Sequence, residues 1–137
     1  MAKKILFLDL DGTLLNDRKE ITDGNRRAIS EALAKGRRIV VTSGRPLKSS
    51  LAQARRLGLA GEGCYVIAYN GASIYDCSSR REIFRRTLEW EVLYAIFDEA
   101  RRREVYVQTY DREDVVTEQE ERVENARRYC SALGLDY

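Results

Sequence analysis

Short unbroken apolar runs alternate with stretches of helical spacing through the first two thirds of the chain. Ile5-Leu6-Phe7-Leu8 has no polar alternation, so it predicts a strand over 4–8 buried on both faces, as in parallel sheets. Thr22 is a natural N-cap for a helix whose Ala28, Ile29, Ala32 and Leu33 recur at helical spacing and which Gly36 ends. Ile39-Val40-Val41 predicts a second strand. Pro46 then opens a helix that turns Leu47, Leu51, Ala54 and Leu57 inward and stops at Gly58. Tyr65-Val66-Ile67-Ala68 is the third strand, and Asn70-Gly71 predicts a hairpin returning through Ser73-Ile74-Tyr75. Turn-rich residues 12–21 predict a short hairpin around Asn16-Asp17, and a turn at 76–82 leads to Ile83-Phe84.

The pattern changes near residue 87. A helix over 87–103 carries Leu88, Val92, Ile96 and Ala100 on one face, with acids early and arginines late. A strand over 105–110, a turn at 111–114 and a short strand at Val115-Val116 follow. Thr117 and Glu120 form a capping box for a helix with Val123, Ala126, Cys130 and Leu133 inward, ended by Gly134. Residues 135–137 look like the start of another element. Strand–helix alternation implies an α/β fold, a doubly wound parallel sheet over 1–86, joined to an α+β unit over 87–137.

Composition narrows the chemistry. A net charge of +2 over 137 residues makes no case for nucleic acid or a membrane surface as partner. With no histidine there is no His triad, His base or His metal ligand. Cys64, Cys77 and Cys130 are far apart in sequence and odd in number, which argues against zinc, thioredoxin-type chemistry and a disulfide framework. The expectation is buried thiols in a reducing compartment. No apolar run approaches membrane-spanning length, so the expected location is cytoplasmic.

The chemistry lies in "DLDGT", where Asp9 ends the first strand and Asp11 follows before Gly12. A buried carboxylate costs several kcal/mol, roughly, unless something compensates. A plain Asp-Gly turn does not explain Asp9. A calcium loop would need acids where Phe7 and Arg18 stand. A dinucleotide fingerprint fails because Gly61-x-Gly63 precedes a strand and Val66 takes the third glycine's place. Phosphoryl transfer through an aspartyl-phosphate fits best. Ligands bind at the carboxyl ends of parallel strands, and close carboxylates divide into an ionised nucleophile and a protonated acid. "VVTSGRP" adds phosphate-binding groups at the next strand end: the Thr42 and Ser43 hydroxyls, the Gly44 amide and Arg45.

"DLDGTLLN", "TSGRP" after a buried strand and "YNGASIYD" together resemble the haloacid dehalogenase superfamily, and within it the Cof-type, IIB-capped phosphatases. The resemblance implies a Rossmann-type core followed by the start of an α+β cap. It implies Asp9 as nucleophile, Asp11 as general acid/base, and Ser43 on the phosphate. Magnesium would be held by the Asp9 carboxylate and the Asp11 backbone carbonyl. Asn70 and Gly71 would lie near the substrate, a small phosphorylated metabolite. The family also uses a later Lys or Arg and an acidic Gly-Asp motif. Here the last lysine is Lys48 and no Gly-Asp dipeptide occurs. The chain therefore reads as the first half of such a core plus the first part of its cap. Residues 4–9 would then be an uncovered sheet edge, open to self-association. The alternative reading is a non-catalytic fragment or self-associating module. A receiver-like phospho-switch would need an acid where Tyr69-Asn70 stands.

Overall fold

The computed structural model describes residues 4–112, 114–119 and 123–133. The chain forms two compact units, Met1–Arg85 and Arg86–Tyr137.

In the first unit β1 (Ile5–Asp9), β2 (Arg38–Thr42) and β3 (Tyr65–Ala68) are parallel. They are joined by α1 (Asp23–Ala34) and α2 (Leu47–Arg56). The antiparallel strands β4 (Ser73–Asp76) and β5 (Arg81–Arg85) complete one sheet in the order β1-β2-β3-β4-β5. This is the α/β, parallel-dominated architecture expected. Thr22 caps α1 by accepting the Asn25 N–H at 3.2 Å, and Gly36 follows the helix with φ +68°, where a side chain is strained. Ile29, Ile39, Val41, Ala54, Leu57 and Val66 share one core.

β1 departs from the expectation that its apolar run is buried on both faces. Ile5, Leu6 and Phe7 are 49, 43 and 60 % exposed. The reason is topological: β1 is the edge strand, bonded to β2 alone. The uncovered edge expected from the family resemblance is what is found.

The second unit holds α3 (Trp90–Arg102), a hairpin of β6 (Thr109–Asp111) and β7 (Asp114–Val116), and α4 (Val123–Leu133). Two expectations are corrected here. α3 buries Phe97 and Ala100, whereas Leu88, Val92 and Ile96 are exposed. Nearly every turn of this helix carries apolar residues, so spacing alone did not select the face. Val92 and Ile96 instead line an open apolar groove with Val105 and Val107. The strand expected over 105–110 is reduced to its last two residues. Side chains take the main-chain groups that a ladder would use. The Gln119 Oε1 accepts from Val107 N–H at 3.1 Å, its Nε2 donates to Val105 C=O at 2.7 Å, and the Thr117 hydroxyl donates to Val107 C=O at 2.7 Å. In α4, Ala126 and Cys130 are buried. Glu120 of the expected capping box, Gly134 and residues 135–137 lie outside the described residues, as does the Val123 side chain.

Candidate active site

The site is built at the carboxyl ends of β1 and β2, where Asp9 and Thr42 are register partners. Past Asp9 the chain turns sharply. Leu14 N–H bonds to the Asp9 and Leu10 carbonyls at 3.2 and 3.1 Å, and Leu15 N–H bonds to Leu10 C=O at 2.8 Å. Leu10, Leu14 and Leu15 are buried and anchor this turn, while Asp9 and Asp11, on either side of Leu10, stay exposed. Burial of the apolar residues thus forces the two acids outward on a fixed turn.

Asp11 is the electrostatic centre. Arg45 grips it with two bonds, Nε to Oδ2 at 2.7 Å and Nη2 to Oδ1 at 2.6 Å. Lys19 Nζ adds a bond to Oδ1 at 2.8 Å. The hydrogen bonds from Arg45 dominate; partial burial opposes them and Lys19 assists. The Asp11 carboxyl is held down at about 2. It is therefore ionised at neutral pH. Lys19 and Arg45 both bond Asp11, and neither bonds Asp9, whose carboxylate stands exposed.

The loop after β2 is fastened to β3 and the turn beyond it. Ser43 N–H bonds to Ile67 C=O at 2.9 Å, Asn70 N–H to Ser43 C=O at 3.2 Å, and Tyr69 N–H to Arg45 C=O at 3.0 Å. The Ser43 Oγ accepts from Arg45 N–H at 3.1 Å, so its own proton can be donated elsewhere. Arg45 is 6 % exposed, a buried guanidinium. Its Nη1 reaches the Ser49 hydroxyl at 3.5 Å. Arg45, expected as a phosphate ligand, has its Nε and Nη2 on Asp11.

Thr42, Ser43, Gly44 and Arg45 thus converge with Asp9 and Asp11, as the motif spacing suggested. Asn70 joins them by packing. A Cβ at Gly44 would lie 2.8 Å from the Asn70 Oδ1, so position 44 admits only glycine while Asn70 keeps this pose. Tyr69 and Asn70 both have positive φ, 51° and 54°, and Gly71 has φ 100°. Two successive non-glycine residues in this region are strained. Gly71 serves this turn.

Lys19 and Ser49 were missed in the sequence. A signal for Lys19 was present: Asn16 builds the turn that presents it. The Asn16 Oδ1 accepts from the Arg18 and Glu20 N–H groups, each at 2.9 Å, and Lys19 takes φ 60°.

Among the described residues no group of three or more acidic, Cys or His side chains is placed to hold a metal ion. For a magnesium ion the chain offers the exposed Asp9 carboxylate and the Asp11 backbone carbonyl; the Asp11 side chain is engaged by two cations. These residues fit one corner of an oxygen-ligand site and do not complete it.

Residues 6–132 match the family model described as haloacid dehalogenase-like hydrolase. The YxeH protein of Bacillus subtilis is 38 % identical over 95 residues, covering 69 % of this chain and 35 % of that protein. The 5-amino-6-(5-phospho-D-ribitylamino)uracil phosphatase YcsE of the same organism is 37 % identical over 95 residues, covering 69 % and 36 %. The crystal structure of a haloacid dehalogenase-like hydrolase from Bacteroides thetaiotaomicron superposes with a TM-score of 0.82 at 30 % identity, covering 98 % of this chain and 50 % of that one. The chain spans about a third of the length of these two curated relatives and half that of the solved structure. With the family model matching nearly end to end and the strand order and acid-bearing turn in place, this chain belongs to the haloacid dehalogenase-like hydrolases.

Proposed function

We propose that this chain carries the nucleophile and phosphate-loop half of a magnesium-dependent phosphohydrolase acting on small phosphorylated metabolites. The observation that carries the reading is the exposed Asp9 carboxylate at the end of β1, beside the Ser43–Gly44 loop at the end of β2. Asp9 attacks phosphorus, an aspartyl-phosphate forms and the ester bond breaks. Water then attacks phosphorus and releases Asp9 and inorganic phosphate. The Ser43 hydroxyl and the Gly44 amide face the phosphoryl oxygens. Asp11 handles the proton. Ionised by Arg45 and Lys19, it is in the state that accepts one from the attacking water. To protonate a leaving group it must first take up a proton and loosen the Arg45 pair. A magnesium ion, when bound, would neutralise phosphate charge, with the Asp9 carboxylate and the Asp11 backbone carbonyl as this chain's ligands to it.

The substrate class rests on the phosphate-directed groups and on the phosphatase YcsE among the relatives. No described helix is long and apolar enough to cross a membrane. A cytoplasmic location is part of the proposal.

The test is magnesium-dependent release of phosphate from a generic aryl phosphate by the chain and by Asp9→Asn. The expected loss in the variant is on the order of 10³-fold or more. Equal rates in the two proteins would remove Asp9 from the reaction. Silence in both, with the chain folded, would leave a non-catalytic half-site. Sedimentation of the same samples reads whether copies pair through β1.

A further inference from the structure

Cys64 and Cys77 are thirteen positions apart in sequence and adjacent in space. β3 and β4 pair with Tyr65 opposite Asp76, and the same register places Cys64 opposite Cys77 one step further. The step is made: Cys77 N–H bonds to Cys64 C=O at 3.0 Å. Opposed residues of an antiparallel pair point to the same face, and both side chains belong to the same buried core. One of the two possible bonds is made, the Cys64 N–H going to Gly61 C=O at 3.2 Å; opposite residues of an antiparallel pair have Cα atoms about 4.5–5.5 Å apart, inside the roughly 4.4–6.8 Å that disulfides span. Both are free thiols in the structure, 1 and 7 % exposed. Cys130, the third thiol, lies in the other unit.

We propose that Cys64 and Cys77 are a redox pair that closes into a reversible cross-strand disulfide when the folded chain meets a peroxide. One thiolate attacks a peroxide oxygen: an S–O bond forms, the O–O bond breaks, and hydroxide leaves as water. The second thiolate attacks that sulfur: the S–S bond forms, the S–O bond breaks, and a second water departs. Two thiols lose two electrons and two protons, and one hydrogen peroxide becomes two waters. Burial, with the neighbouring Cys64 and Asp76, pushes the Cys77 thiol up to about 11, only partly offset by Arg55. The reaction is therefore slow beside that of a surface thiol. The bond staples β3 to β4 at the end opposite their connecting turn. That turn carries Tyr69 and Asn70, whose N–H groups hold the phosphate loop.

The experiment is peroxide treatment of the folded chain, then denaturation, alkylation with iodoacetamide, trypsin digestion and mass spectrometry. Both cysteines fall in the tryptic peptide 57–80. The expected product is that peptide about 2 Da below its reduced mass, unalkylated, with Cys130 alkylated and two thiols recovered after dithiothreitol. Cys130→Ser should give the same product, and the oxidised chain should melt at a higher temperature. Two alkyl groups on the peptide after treatment, sulfinic acid at either cysteine, or a bond to another chain would overturn the proposal. So would a bond that forms only after the chain is unfolded in urea.

Discussion

β1 and β2 pair residue for residue from Ile5 with Arg38 to Asp9 with Thr42. Yet Ile39, Val40 and Val41 are at most 4 % exposed, while Ile5, Leu6 and Phe7 are at least 43 % exposed. Both are short apolar runs that end in a chemically loaded turn. An unalternated run specifies a strand made to be covered, and the covering itself comes from neighbours. The strand ends behave differently from the strand bodies. The turn after exposed β1 is as well anchored as the loop after buried β2, because Leu10, Leu14 and Leu15 carry their own core contacts. Arg45, from the β2 end, ties the two together through Asp11.

The sharpest way to break the comparison is a matched truncation. Ile39→Ala should cost about 2–5 kcal/mol of unfolding free energy. Ile5→Ala should stay within about 0.5–1 kcal/mol. Urea titrations of the two variants read the difference, and equal losses would mean that β1 is covered in solution. Next comes the tie between the strand ends. Asp11→Ala leaves the buried Arg45 without its partner and should cost about 1–3 kcal/mol, a figure reduced for the exposure of Asp11. Acid should act on the same bond. The folded carboxyl sits at about 2, below its ordinary value of 3.8. Its contribution is therefore full above the ordinary value and lost as pH falls from about 4 towards about 2. The wild-type urea midpoint should drop through that window more than that of Asp11→Ala. The smallest effect is expected for Lys19→Met, within about 1 kcal/mol, since Lys19 and Asp11 are 57 and 42 % exposed. A larger loss would show that Lys19 fixes the turn as well as the charge.

The order of elements through β5 was readable from residues 4 to 85 because each signal is local: Thr22 before its helix, Pro46 at a helix start, Asn70-Gly71 between two strands. The convergence of Asp9 with Ser43 and Gly44 followed from strand ends alone. The Arg45–Asp11 grip was not readable, since the partners lie 34 residues apart and either could have faced phosphate. The burial of α3 was hidden because apolar residues ring the helix. The segment 105–108 read as a strand until Gln119 and Thr117 claimed its main-chain groups. The facing of Cys64 and Cys77 depends on hairpin register, which a count of cysteines cannot supply.

The loop after β2 carries the groups proposed to meet phosphate, yet its main chain is fastened to β3 and to the turn at Tyr69 and Asn70. In amide hydrogen exchange this fastening defines a unit. The N–H groups of Ser43, Tyr69 and Asn70 should exchange together, at the rate at which the loop separates from β3, while exposed Gly44 exchanges ahead of them. The opening that releases this loop therefore belongs to β3, a strand that contributes no reactive side chain of its own.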